Sequence, residues 1–194
     1  MGIESLINPE EIEELARLYG PIERRSYSLE VSRRNFEDWR RKLAKKRRGE
    51  VVFVVKCPPG LILHTKDFYP PGTYRLPSGG VGWGESVLSA LHREAQEEMG
   101  LEVEVERFLG LLVYEFRCRE ETMPFVSYVF LMREAGGELA PQDKEERILS
   151  FCQVPVAKLS AVADSLRAME GDWRDWGKFR AIAHDFVVEM MGSI

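Results

Sequence analysis

Apolar positions in the first 48 residues fall at helical spacing. Ile12, Leu15, Ala16 and Tyr19 share one face after Asn8-Pro9. There Asn can cap, Pro is pre-set for a first turn, and Glu11 completes a capping-box-like spacing; Gly20-Pro21 ends the run. Phe36, Trp39 and Leu43 mark a second helix over 32–47, whose end is dense in Arg40, Arg41, Lys42, Lys45, Lys46, Arg47 and Arg48. Cations are favoured at a helix C-terminus, so part of that run needs no further reason. From residue 50 the period changes. Residues 51–55 are continuously β-branched or aromatic, 58–60 is turn chemistry and 61–63 is apolar, which predicts a buried hairpin. A loop rich in Pro, Gly and aromatics (68–74) leads to Leu76 and Gly79-Gly80, and a helix over 86–99 follows. Strands are expected at 103–116, 125–133 and, after the polar loop 134–147, at 148–154. A short helix near 156–168 precedes a longer one near 174–191, with Trp176, Phe179, Ile182, Phe186 and Met190 as its core stripe. Mixed strands and helices around one core predict an α/β or α+β fold, with residues 1–48 as a helical extension and 49–194 as the main domain.

Composition narrows the class. A chain of 194 residues, 44% apolar and 30% charged, supports a folded domain rather than disorder. No apolar run approaches the roughly 20 residues of a membrane helix. The first 18 residues carry acids where a secretory signal would carry a basic end and an apolar block, and Leu6 stands where an acylation site needs Ser or Thr; the expected location is the cytoplasm. Cys57, Cys118 and Cys152 are too scattered for a disulfide framework or a zinc site and read as small core hydrophobes. The net charge of -5 argues against a protein that coats nucleic acid. It is uneven, however: residues 1–48 hold 12 Lys/Arg against 9 Asp/Glu, and the remainder 15 against 23.

The chemistry concentrates in residues 79–101, GGVGWGESVLSALHREAQEEMGL. At 100° per residue Val87, Leu88, Leu91 and Ala95 share an arc that must face the core. Glu94, Glu97 and Glu98, at i, i+3 and i+4, crowd a second arc beside it. Arg93 lies four residues before Glu97 and can pair with it, which leaves two acids without a local base. Such a cluster is either a solvated acidic face or a site for a hard divalent ion.

The full spacing bears on that choice. Gly79, Glu85, Arg93-Glu94, Ala95, Glu97-Glu98, Gly100 and Leu101 follow G-x5-E-x7-R-E-U-x-E-E-x-G-U, where U is a bulky apolar residue. This pattern resembles the box of the Nudix hydrolases, with Ala95 smaller than the usual Leu, Ile or Val. The resemblance implies a Nudix-type α/β/α sandwich with a mixed sheet, carrying the N-terminal helical extension. It implies Mg²⁺-dependent hydrolysis of a diphosphate bond in a nucleoside diphosphate linked to another moiety, with Mn²⁺ able to substitute. By the same resemblance Glu97 and Glu98 are the main metal-binding carboxylates, Glu94 ligates or orients water, and the carbonyl of Gly79 supplies a further ligand. Arg93 holds the acids in place, Glu85 tethers the loop to the helix, and Gly100 is a left-handed cap. Family members often take one more carboxylate from outside the box; Glu146 is the first choice in this chain and Glu145 the second.

Other residues add less. His64, His92 and His184 lack metal-ligand spacing and read as structural or solvent-facing. Phe68, Tyr69, Tyr74, Trp83, Tyr114 and Tyr128 are candidate base-stacking partners, with core packing the alternative for each. The substrate's identity is open. The proline that resembles a marker of ADP-ribose pyrophosphatases is absent where Glu115, Phe116 and Arg117 stand, and Tyr114 and Tyr128 do not sit where diadenosine polyphosphate hydrolases place their tyrosine. Pro124-Phe125 matches only a fragment of the NADH pyrophosphatase motif. Two alternatives remain: an RNA 5′-end pyrophosphohydrolase or RNA-binding module using the basic run 40–48, and an isopentenyl diphosphate isomerase-like enzyme with Cys57. Burial of Phe36, Trp39 and Leu43 against the domain or a second subunit is expected, and with it a homodimer.

Overall fold

The computed structural model describes residues 2–192, apart from the side chains of residues 43–46; Leu43, Lys45 and Lys46 of the expected stripe and basic run therefore lie outside the described residues. The chain order is α1 (Pro9–Tyr19), β1 (Glu23–Glu30), α2 (Arg33–Lys46), β2 (Arg47–Cys57), β3 (Gly60–Lys66), β4 (Ser78–Gly82), α3 (Val87–Met99), β5 (Leu101–Cys118), β6 (Glu121–Gly137), β7 (Ile148–Val154), α4 (Leu159–Arg167) and α5 (Arg174–Gly192). The strands form one mixed sheet in the order β1-β5-β6-β2-β3-β7, with β4 also paired to β2.

The continuous apolar run of β2 has a direct cause. This strand is central, parallel to β6 and antiparallel to β3 and β4, and both its faces are covered. Val51, Phe53 and Val55 face a core shared with Leu15 of α1 and Val87, Leu91, Ala95 and Met99 of α3. Val52 and Val54 face the opposite core, with Phe36 of α2 and Phe179, Phe186 and Val187 of α5. The period-2 geometry of a strand divides one run between two helical layers. The architecture is an α/β/α sandwich around a mixed sheet.

The N-terminal segment is more than a pair of helices. Between them β1 runs parallel to β5 along the sheet edge, from Glu23 opposite Gly110 to Glu30 opposite Arg117. Phe36 is 1% exposed, and the Trp39 ring packs edge-on against Phe116, centroids 4.9 Å apart. Phe36 and Trp39, two of the three residues of the stripe on which the homodimer expectation rests, therefore pack within their own chain. Asn8 caps α1, accepting from the Glu10 and Glu11 amides. The Glu11 carboxylate, however, reaches across the fold: it accepts from the Val87 amide at the start of α3 (2.6 Å) and from Arg48 (2.7 Å). Arg48 is itself buried, donating also to the Glu85 carbonyl and the Tyr128 hydroxyl. Of the basic run, Arg40 pairs with Glu37 and Glu121, and Arg41 and Lys42 pair with Asp38.

Candidate active site

α3 starts cleanly because the Ser86 hydroxyl accepts from the Ser89 amide. It stops because Gly100, at φ 69°, takes the left-handed conformation and returns its amide to the Gln96 carbonyl. A Cβ at Gly100 would also meet the Ala140 carbonyl at 2.5 Å. Both ends of the acidic helix are thus fixed, and Val87, Leu91 and Ala95 lock its face to the sheet. The small Ala95 is wholly buried there.

Glu94 and Glu98 are turned inward, 8% and 1% exposed, and the 3-10 turn Lys144–Glu146 brings Glu146 to them. One carboxylate oxygen from each of these three lies within 4.8 Å of the others. Glu97 is outside that group; its half-exposed side chain pairs with Arg93 at 2.8 Å. Arg93 also binds Glu85 at 2.9 Å, Glu94 at 2.9 Å and the Gly80 carbonyl at 3.0 Å, so one guanidinium ties the loop to three acids. Glu85 accepts from the Gly82 amide as well, which closes the loop onto the helix. Gly79 stands against Glu94: an added Cβ would lie 2.3 Å from the carboxylate carbon, and the neighbouring Gly80 amide donates to Glu94 at 2.9 Å. Glu145 is exposed, and its amide rather than its carboxylate is used, donating to Asp143.

Lysine 66 was not foreseen. From the end of β3 its ammonium donates to Glu146 at 2.6 Å and to Glu98 at 3.3 Å. Burial pushes the Glu98 carboxyl up to about 7 against the pull of Lys66 and Arg75, while neighbouring Glu146 adds to the rise. Burial also raises Glu94, opposed by its bond to Arg93. Glu146 goes the other way: burial would raise it, but the bond to Lys66 and that ammonium's charge hold it below the usual range. The two facing carboxyls are thus shifted in opposite directions, Glu98 upward and Glu146 downward. Among the described residues the second oxygen of Glu98 is buried with no hydrogen-bond partner, 3.8 Å from Nδ1 of the fully buried His64, whose ring nitrogens also lack one there. A buried carboxylate oxygen without a donor, beside two further carboxylates, fits a divalent cation.

These groups give a pH prediction. A carboxyl raised in the fold stabilises it below its unfolded pKa, and that stability is lost as pH rises through the folded value. In EDTA, the melting temperature relative to Glu98→Gln is expected to fall between about pH 5 and pH 8. Parallel curves for the two proteins would remove Glu98 as the cause.

The three acids line a cavity of about 570 Å³, within the range of small-molecule sites. Arg47, Lys66, Arg75 and Arg180 line it, as do Trp39, Phe68, Tyr69, Phe125, Trp173, Trp176 and Phe179. Of the aromatic candidates, Phe68 and Tyr69 reach the cavity. Tyr114 and Tyr128 are core residues, the Tyr74 hydroxyl meets Ser150, and Trp83 is 44% exposed elsewhere. His184 accepts from the Leu76 amide, and His92 is exposed. Cys57 lies at the β2–β3 turn, where its sulfur accepts from Gln153, away from the cavity lining. Below the cavity floor Glu50, 2% exposed, accepts from Arg180 at 2.8 Å and from Ser127 at 2.8 Å.

Comparison with known proteins agrees with this geometry. An ADP-ribose pyrophosphatase of Methanocaldococcus jannaschii is 35% identical over 97 residues, which cover 49% of this chain and 56% of that protein. The human 8-oxo-dGDP phosphatase NUDT18 is 41% identical over 69 residues, 35% of this chain and 19% of that one. The matched segments thus span about half of one curated relative and a fifth of the other. Among solved structures, a NUDIX hydrolase from Nitrosomonas europaea superposes with a TM-score of 0.50 at 17% identity, covering 71% of this chain and 86% of its own. The NUDIX domain family matches residues 46–176, two thirds of the chain including the whole acidic helix, and the protein belongs to the Nudix hydrolases.

Proposed function

We propose that this enzyme hydrolyses a diphosphate bond in a nucleotide derivative, of the ADP-ribose or 8-oxo-dGDP type, with Mg²⁺ as its cofactor and Mn²⁺ able to replace it. The observation that carries this reading is a cavity lined together by the three clustered carboxylates, six cationic side chains and seven aromatic rings. A nucleoside diphosphate combines a polyanion, which metal and cations bind, with a planar ring system.

Glu94, Glu98 and Glu146 would hold the ion, and the Gly79 carbonyl would join them as the motif resemblance implies. When bound, the metal neutralises the diphosphate and lowers the pKa of water at the site. The protein's own groups supply the rest. Arg93 orients Glu94 by bonding its carboxylate and the Gly80 carbonyl at once. Lys66, Arg75, Arg47 and Arg180 offer positive charge to the phosphates along the cavity. Glu146, held ionised by its bond to Lys66, would serve as the third carboxylate toward the metal ion. The reading draws support from the names of the two curated relatives, both of which describe purine nucleotide diphosphate chemistry.

The test is a panel of nucleotide diphosphates incubated with protein and Mg²⁺ or Mn²⁺, the products being identified by mass. Hydrolysis at the diphosphate of at least one compound is expected, abolished by EDTA and restored by either ion. Turnover that survives exhaustive chelation would overturn the metal assignment, and no hydrolysis across the panel would overturn the substrate class. Among the described residues of the basic run, Arg40, Arg41 and Lys42 are already paired with Glu37, Asp38 and Glu121, which gives no support to an RNA reading, and Cys57 away from the cavity gives none to an isomerase reading.

A further inference from the structure

The family match begins at residue 46, yet α2, which precedes it almost entirely, contributes Asn35, Asp38 and Trp39 to the same cavity as Glu94, Glu98 and Glu146. Its position there is fixed by the chain's other end. Asp175 at the start of α5, 4% exposed, accepts from the Ser32 amide at 2.8 Å and from the Asn35 side chain at 2.9 Å. Arg34 pairs with Asp172 at 2.6 Å. The N-terminal and C-terminal segments are thereby clamped together over the site.

Both segments bring rings to the cavity. Trp39 packs on Phe116 and, at 5.8 Å, on Phe179, and is only partly buried there. Trp173 and Trp176 stand edge-to-face at 5.2 Å, and Tyr69 lies 4.8 Å from Trp176 with its hydroxyl held by Arg75. Such rings are rigid, low-entropy surfaces, and three partly buried tryptophans lining one cavity leave ring area that core packing does not cover. Planar heteroaromatic bases stack on them irrespective of sequence-specific hydrogen bonds.

We propose that the α2–α5 clamp is the base-recognition wall of the enzyme, with Trp39 as the stacking surface, so that a segment outside the family match sets the preference for a nucleotide over a base-free phosphate ester. This rests on the proposed function, but its test reads binding without turnover. AMP, GMP and ribose 5-phosphate are titrated in EDTA into the full chain by calorimetry. Wild type is expected to bind a mononucleotide at least about tenfold more tightly than ribose 5-phosphate. Trp39→Leu, which keeps apolar contact but loses the ring face, is expected to erase that difference, and Trp39→Phe to keep most of it. In the ¹⁵N NMR spectrum the Trp39 indole signal, assigned by its loss in Trp39→Phe, is expected to move with AMP or GMP and to stay with ribose 5-phosphate. Equal binding of the base-free ester by wild type, an unmoved indole signal, or a folded Trp39→Leu protein that still discriminates would overturn the wall. The indole signal decides the matter even if Trp39→Leu does not fold. Failure of hydrolysis alone would sink the proposed function and leave the wall standing.

Discussion

Replacing Glu98 by Gln is expected to lower kcat by about a hundred- to a thousandfold while leaving the fold intact. The side chain keeps its size and an acceptor for Lys66, but the inward cluster loses the acid at its most buried point. Glu98 is the member whose second oxygen has no hydrogen-bond partner among the described residues, so it is the acid the fold leaves most open to a cation. Glu97→Gln makes the contrast. Its carboxylate meets Arg93 and lies outside the three-acid group, and Arg93 keeps Glu85 and Glu94 as partners when Glu97 is neutralised. A much smaller loss, of about tenfold or less, is therefore expected for Glu97→Gln. Steady-state kinetics on the best substrate of the panel, with circular dichroism as the check on folding, separates the two. Equal losses would restore Glu97 to the role that the motif resemblance gives it.

The motif made the helix and its loop legible because their roles are local. Ser86, the 3.6-residue apolar spacing and Gly100 are adjacent in sequence to what they control, and α3 runs as expected from them. The central hairpin was legible for a similar reason, since a run of β-branched residues covered on both faces has few alternatives. Two strands were missed. In β1 the inward side consists of Arg25, Tyr27 and Leu29 alternating with Ser and charged residues, so a half-exposed edge strand looked like a linker between two helices. The alternation of Tyr27, Leu29 and Val31 was the available signal. β4 was masked by Gly79 and Gly80, which weaken strand propensity; Gly79 is there because the Glu94 side chain occupies the space of a Cβ. The remaining site residues, Lys66, Arg75, Arg180 and Trp39, are remote from the box in sequence. Their convergence depends on strand order and on the clamp through Asp175, which no local pattern encodes.

Removing Arg180 should destabilise the protein by about 3–5 kcal/mol, because it leaves Glu50 buried without its counter-charge. Burial by itself pushes the Glu50 carboxyl up, but the Arg180 guanidinium, with hydrogen bonds from Arg180 and Ser127 and the charge of Arg75, holds it below the usual range. In the wild type this carboxylate stabilises the fold above its unfolded pKa, and that contribution is lost as pH falls through the lower folded value. In Arg180→Leu the sign reverses: burial dominates, the folded pKa rises, and protonation relieves the penalty. The deficit measured by urea unfolding is therefore expected to be largest at neutral pH and to shrink toward about pH 5. Adding Glu50→Gln to Arg180→Leu should recover most of the loss at neutral pH, since the costly species is the unpaired charge and not the missing pair. The double variant also tests how the cavity floor is built. Glu50 accepts from Ser78, the residue before Gly79, so a neutral side chain that still accepts there keeps β4 in register beneath the acids. If Arg180→Leu and the double variant lose the same stability at every pH, Glu50 is not the burdened group, and the loss belongs to the packing of Arg180 against Phe179.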